Sequence, residues 1–216
     1  MDVIDRMQKR AIRKRDLGME EALGLFEEGM ARPFRIMAAA AEIRRHFRED
    51  TVSLCGIVNA KSGRCPEDCA FCAQSSHYAT DAEVHPLMKA GEIAAAAREA
   101  ARAGAELFGI VMSGKRIGSV REWAEIRKAV RGVQDAGLRA CASLGLLDAA
   151  QARDLKEAGL YRYHHNLETS RSFFPNVCST HDYEEDVETV RTAKRAGLSV
   201  CSGGLIGLGE GITHRI

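Results

Sequence analysis

The hydrophobic pattern of this chain changes its period more than once. The first 50 residues read as helical, with one helix expected over about 19–29 and another over about 33–48, where Pro33 suits a first turn. Thr51 to Asn59 is a strand-like run, and the Gly-, Pro- and Cys-containing segment 61–76 has no period and reads as a loop. From about residue 91 a unit recurs: a helical stretch ends in Ala-Gly and a short apolar strand follows. These helices end at Gly104, Gly137, Gly159 and Gly197, where glycine suits the left-handed position that closes a helix. The strands are expected at about 106–112, 138–144, 160–165 and 198–202. Ser119 with Glu122 has capping-box spacing, and Asp148 with Gln151 resembles it. Val120, Trp123, Ile126, Val130 and Val133 then recur at helical spacing and predict one buried face.

Alternating helices and strands predict an α/β fold with a parallel sheet and right-handed crossovers. Five strands can be counted. A closed barrel needs eight, on about 250 residues. The expected fold is therefore a partial (β/α) TIM-type barrel of about five of eight βα units, C-terminally truncated, with N-terminal helices. Residues 1–50 form the helical extension and 51–216 the incomplete barrel core. A doubly wound open sheet is the structural alternative.

Composition narrows the function classes. The 216 residues are 45% hydrophobic and 28% charged, with a net charge of +1, so no strong field points to nucleic acid or to an acidic membrane. The basic run Arg10, Arg13, Lys14, Arg15 reads as a solvated helix rather than a binding arm. No apolar run approaches the ~20 residues needed to span a bilayer, and the N-terminus lacks a signal-peptide stretch. A cytoplasmic protein is expected. Seven cysteines, an odd number in a reducing compartment, argue against a disulfide framework and for metal or redox chemistry.

Three of the seven stand together in Cys65-Pro-Glu-Asp-Cys69-Ala-Phe-Cys72. The spacing C-x3-C-x2-C supplies three ligands, whereas a structural zinc site wants four. A [4Fe–4S] cluster held by three cysteines leaves one iron open, which is what binding S-adenosylmethionine (SAM) through its amino and carboxylate groups requires. An electron from the cluster then cleaves the sulfonium and releases a 5′-deoxyadenosyl radical. A zinc loop completed by His77 or His85 is the competing reading, disfavoured by the spacing. Phe71 can stack near an adenine or simply pack, and the sequence leaves both open.

With an aromatic before its last cysteine, this loop resembles the radical-SAM signature. The string from Asn59 to His77 is similar to biotin synthases in particular. So are Cys141-Ala-Ser-Leu-Gly145, Tyr163-His-His-Asn-Leu-Glu-Thr-Ser170 and Cys201-Ser-Gly-Gly-Leu-Ile-Gly-Leu-Gly-Glu210. The resemblance implies a SAM-dependent sulfurtransferase that converts dethiobiotin to biotin, inserting sulfur between two unactivated carbons. It also implies an electron donor such as flavodoxin or ferredoxin, a homodimer, and an auxiliary iron–sulfur cluster as sulfur source, with Cys141 and Cys201 among its ligands. By the same resemblance Asn166 would contact dethiobiotin and SAM, Glu168 would hold the SAM ribose hydroxyls, and Met112, Ser113 and Gly114 would offer groups to the SAM methionyl amine. Read by themselves, Asn166 is a turn residue and Glu168 a solvated charge. His164 and His165 are assigned no chemistry, and Gly203 and Gly204 are expected to allow close backbone approach.

The chain departs from the better-known members at two points. Gly109 falls where a further cysteine is expected on the second strand, and the region of an arginine ligand lies beyond Ile216. The usual [2Fe–2S] ligand set is therefore not present. Removing the loop cysteines from the count leaves Cys55, Cys141, Cys178 and Cys201, four thiols that could hold a four-iron cluster instead. Asp186 lies in the stretch 180–188, where relatives often carry an arginine. Two other readings stand beside a biotin synthase: an inactive iron–sulfur-binding fragment, and a radical-SAM enzyme of the same architecture with another small-molecule substrate.

Overall fold

The computed structural model describes residues 2–216. They group into two compact units, one of residues up to Val52 together with Gly211–Ile216, the other Ser53–Glu210.

The first unit is helical: α1 (Val3–Ile12), α2 (Met19–Ala31) and α3 (Pro33–Arg48). Asp2 caps α1 by accepting from the Ile4 amide at 3.0 Å. Ile4 and Met7 on α1 are buried. The basic run is partly tied down within the unit. Arg10 pairs with Glu21, and the Lys14 ammonium lies 5.7 Å from the centre of the Phe47 ring.

The second unit is a five-stranded parallel sheet in the order β1 (Cys55–Lys61), β2 (Leu107–Met112), β3 (Arg139–Ser143), β4 (Arg162–His164) and β5 (Ser199–Cys201). The connecting helices are α4 (Ala90–Arg102), α5 (Val120–Asp135), α6 (Ala149–Glu157) and α7 (Tyr183–Arg195). Strictly sequential order means that every crossover steps the same way, which puts all the helices on one face of the sheet. A doubly wound sheet reverses its order partway and is excluded. The arrangement is that of a partial (β/α) barrel.

Sequence signals account for most boundaries. Gly104, Gly137, Gly159 and Gly197 each close a helix with φ between 75° and 95°. Ser119 accepts from the Glu122 amide, and Asp148 with Gln151 forms a full capping box. The first strand starts at Cys55 rather than at Thr51, since Thr51 instead donates its hydroxyl to the Arg48 carbonyl at the end of α3. On α5, Ile126, Val130 and Val133 are fully buried and Trp123 partly so. Val120 does not share that face. As the first residue of the helix it is 88% exposed.

Alternation then sorts the strand residues. Phe108, Ile110, Met112, Ala140, Ala142 and Tyr163 pack into one core with Ile93, Ile126, Val130 and Leu155 of the helices. The opposite parity forms the inner face: Cys55, Ile57 and Asn59 on β1, Gly109 and Val111 on β2, Cys141 and Ser143 on β3, Arg162 and His164 on β4, Cys201 on β5. A register shift between Asn59 and Lys61 turns Lys61 to the helix side, where it pairs with Glu122 on α5 at 2.7 Å.

Tyr163 is the largest of the fully buried side chains. Its hydroxyl donates to the Gly145 carbonyl at 2.6 Å and accepts from the Leu144 amide at 3.3 Å, pinning the turn after β3 to β4. Burial pushes its phenol well above the usual range, so it stays protonated. Tyr163→Phe leaves both backbone groups short of a partner. We expect it to lower unfolding free energy by about 1–3 kcal/mol, measured by urea denaturation; an unchanged midpoint would mean that water replaces the hydroxyl.

Candidate metal and SAM site

The cysteine loop leaves β1 and is folded by its own backbone. The Cys65 amide donates to Gln74 O at 2.9 Å, Ser76 N to Cys65 O at 2.8 Å and Cys72 N to Cys69 O at 2.9 Å. The Ser75 hydroxyl donates to Glu67 O, Tyr78 OH to Asp68 O and Ser113 Oγ to Gly63 O. These bonds bring Cys65, Cys69 and Cys72 together on the wall of one cleft of about 320 Å³. The amides of Glu67 and Gly114 point at the Cys65 sulfur. Burial and the neighbouring thiols raise the Cys65 and Cys69 thiols above their ordinary values.

Three converging thiols in a cleft fit an iron–sulfur cluster with one open iron. Each would become a metal-bound thiolate, and the metal would supply the positive charge that stabilises it. His77 and His85 do not complete the loop: their ring nitrogens lie at the Pro66 and Pro86 carbonyls.

The rest of the cleft comes from the C-terminal ends of the strands, where barrel sites form. Phe71, Met112, Ser113, Gly114, Asn166 and Glu168 all line it, as do His164 and His165. Glu168 holds a left-handed backbone, φ 59°, and its carbonyl accepts from Leu205 N at 2.9 Å. A Cβ on Gly204 would stand 2.4 Å from that carbonyl oxygen, so the close approach requires glycine.

A second group of thiols lies on the inner face. Pairing sets Cys55 beside Leu107 and hence Arg139, so Cys141 is two residues further along. Cys141 pairs with Arg162 and that with Ser199, so Cys201 is two further again. A barrel of eight strands shears about one residue per strand, and alternate strands fill each interior layer. Cys55, Cys141 and Cys201, on β1, β3 and β5, therefore occupy one layer. Burial pushes the Cys141 thiol up to about 11, with charges on Cys55 and Cys201 adding to the rise and Arg162 and Arg139 opposing it. Gly109 lies beside Cys141, and a Cβ there would stand 3.1 Å from Ile57 Cγ2.

Cys178 is not in this group, which corrects the four-thiol count. The loop after β4 carries it to the other cluster of cysteines: its sulfur is 3.8 Å from Cys69 Sγ, 3.3 Å from Asp68 Oδ1 and 3.2 Å from His181 Nδ1. Glu67, His181, Asp186 and His165 form a largely buried chain along the wall of the cleft, with Glu67 to His181 at 2.6 Å, His181 to Asp186 at 3.4 Å and Asp186 to His165 at 2.8 Å. Burial pulls His181 down, but its bonds to Asp186 and Glu67 outweigh this and hold it above its ordinary value. Sequence reading missed this chain. The C-x2-H spacing of Cys178 and His181 was the signal that could have found it.

Comparison with known proteins gives the family. The family model described as the radical SAM superfamily matches residues 60–215, and the chain belongs to that superfamily. Among curated proteins, it is 50% identical over 214 residues to a biotin synthase of Geotalea daltonii, covering 99% of this chain and 65% of the relative. It is 57% identical over 182 residues to a biotin synthase of Geobacter sulfurreducens, covering 84% of this chain and 55% of that one. The chain thus spans about 65% or less of the length of these relatives. Among solved structures, methylornithine synthase superposes with TM-score 0.80 at 21% identity, over 99% of this chain and 62% of its own. The FeFe-hydrogenase maturase HydG from Carboxydothermus hydrogenoformans does so with TM-score 0.72 at 14% identity, over 98% and 50%. These two speak for the fold alone.

Asp68 clamps the cysteine loop to residues 178–180. Its carboxylate accepts from Ser179 Oγ at 2.5 Å, Ser179 N at 2.9 Å, Thr180 Oγ1 at 3.1 Å and Thr180 N at 3.3 Å. The Ser179 hydroxyl and amide hold its carboxyl far below the usual range. A depressed pKa stabilises above the unfolded value, about 3.9, and that contribution fades as pH falls toward the folded value. Asp68→Asn should cost about 1 kcal/mol after solvent screening. In urea denaturation at several pH values, the gap from wild type should be constant above about pH 5 and shrink below about pH 4. A gap that widens in acid would rule out the clamp.

Proposed function

We propose that this chain carries the radical-SAM site of a biotin synthase and serves the insertion of sulfur that converts dethiobiotin to biotin. The observation that carries the reading is one fold with two thiol groups. Cys65, Cys69 and Cys72 stand at the cleft, and Cys55, Cys141 and Cys201 form a single barrel layer beneath it. The 50% identity to biotin synthases over nearly the whole chain supports the choice of substrate.

In this reading Cys65, Cys69 and Cys72 hold a [4Fe–4S] cluster, which when bound supplies the electron that opens the SAM sulfonium. Ser113 and Gly114, with Met112 behind them, present polar groups to the methionyl end of SAM. Glu168 accepts the two ribose hydroxyls, for which a carboxylate has the acceptor capacity. Phe71, 36% exposed at the rim, offers a face to the adenine. Asn166, on the same wall, contacts dethiobiotin. Cys55, Cys141 and Cys201 hold the auxiliary cluster, with Arg162 and Arg139 easing the loss of the Cys141 proton. Electrons come from a flavodoxin or ferredoxin, and the working unit is a homodimer in the cytoplasm.

Anaerobic reconstitution tests the two-cluster reading. We expect about seven to eight irons per chain, falling to about four when Cys141 and Cys201 are both replaced by alanine. Three to four irons in the unaltered chain would sink it. Cys72→Ala should abolish reductive cleavage of SAM, read as release of 5′-deoxyadenosine; retained cleavage would refute the loop assignment. Cleavage that persists without biotin formation from dethiobiotin would count against the substrate.

A further inference from the structure

We propose that Cys69, Cys178 and His181 form a mononuclear site for Zn²⁺ that fills when the cysteine loop holds no cluster. This goes beyond the reading above and does not depend on which substrate the cleft takes. The Cys69 and Cys178 sulfurs are 3.8 Å apart. Two thiolates at about 2.3 Å from one tetrahedral zinc are separated by about that distance. His181 Nδ1 is 3.2 Å from Cys178 Sγ, a few tenths short of the ~3.5 Å edge between a sulfur and a nitrogen ligand, which a small turn of the ring supplies. All three ligand atoms lie within 4.8 Å of one another.

Two further observations point to a metal. His181 turns its other nitrogen, Nε2, to Asp186 Oδ2 at 3.4 Å, the carboxylate backing that fixes the ring of a ligating histidine. Glu67 Oε2 stands 2.6 Å from His181 Nδ1 and brings an oxygen to the remaining side. Cys178 and Glu67 are both buried, at 5% and 7% exposure, so the donors face one another rather than solvent. Thiolate and imidazole in a tetrahedral set select a borderline-soft divalent ion over calcium or magnesium. Among the described residues the three loop thiols do not form so tight a group, as suits a multi-iron cluster rather than one ion.

Cys69 belongs to both sets. A zinc ion on Cys69, Cys178 and His181 therefore withdraws one of the three ligands that the cluster needs. The chain would choose between a loaded and a zinc-blocked form through one sulfur.

The test uses the full chain, freed of iron and kept reduced under anaerobic conditions, with Co²⁺ as the optical probe. Expected are tetrahedral d–d bands and sulfur-to-cobalt charge-transfer bands that saturate at one ion per chain and bleach on adding Zn²⁺. Cys178→Ala and His181→Ala should each weaken Co²⁺ binding at least about tenfold, and Cys65→Ala and Cys72→Ala should leave it unchanged. Charge-transfer bands that survive Cys178→Ala but vanish with Cys65→Ala or Cys72→Ala would place the ion on the loop alone and overturn the proposal, as would the lack of such bands in the unaltered chain. If Cys178→Ala or His181→Ala fails to fold by circular dichroism, the Cys65 and Cys72 variants still decide. In a second arm, Zn²⁺ added before reconstitution should lower iron uptake in the unaltered chain, and equal uptake with and without Zn²⁺ would contradict the shared-ligand claim.

Discussion

Hydrogen bonding between parallel strands decides which residues stand side by side, and here paired residues link all five strands in sequence order. Parity sends Phe108, Ile110, Ala142 and Tyr163 to the helices and Cys55, Cys141 and Cys201 to the inner face. A slip of one residue in β3 would exchange Cys141 for Ala140 or Ala142. It would bury a thiol among the helices and break the cysteine layer. The same slip would move Tyr163 away from the Gly145 turn, so packing and chemistry share one alignment.

The cleft depends on that sheet at one remove. Its walls are loops that leave the C-terminal ends of β1, β2, β3 and β4, the first of them also closed on itself by the backbone bonds of Cys65 to Gln74 and Ser76. They hold their shape by gripping one another: Ser113 to Gly63, Asp68 to Ser179, Leu205 to Glu168. Where the grip involves backbone on both sides, side chains must be small, which is the reason for Gly204 opposite Glu168.

Much of this was legible in the sequence because the signals are local. The Ala-Gly helix ends, the Ser119 and Asp148 caps and the C-x3-C-x2-C spacing each fit inside a few residues, and the strands followed from them. Val120 was misplaced since the periodicity reaches the first residue of the helix while burial does not. Cys178 was misassigned because counting thiols ignores where a loop travels. It lies 109 residues from Cys69 in sequence and touches it in space. The chain from Glu67 through His181 and Asp186 to His165 is likewise assembled from the loop after β1, the segment after β4 and α7, and only the packed structure shows it.

The Asp68 clamp also orders events in time. Asp68 and Ser179 are 111 residues apart. At a synthesis rate of about 5–20 residues per second, about 5–20 seconds pass between the emergence of the one and of the other from the ribosome. During that interval the cysteine loop has no Ser179 or Thr180 to hold it and no Cys178 or His181 beside Cys69. The nascent chain therefore exposes its three loop thiols before it acquires the groups that shelter them.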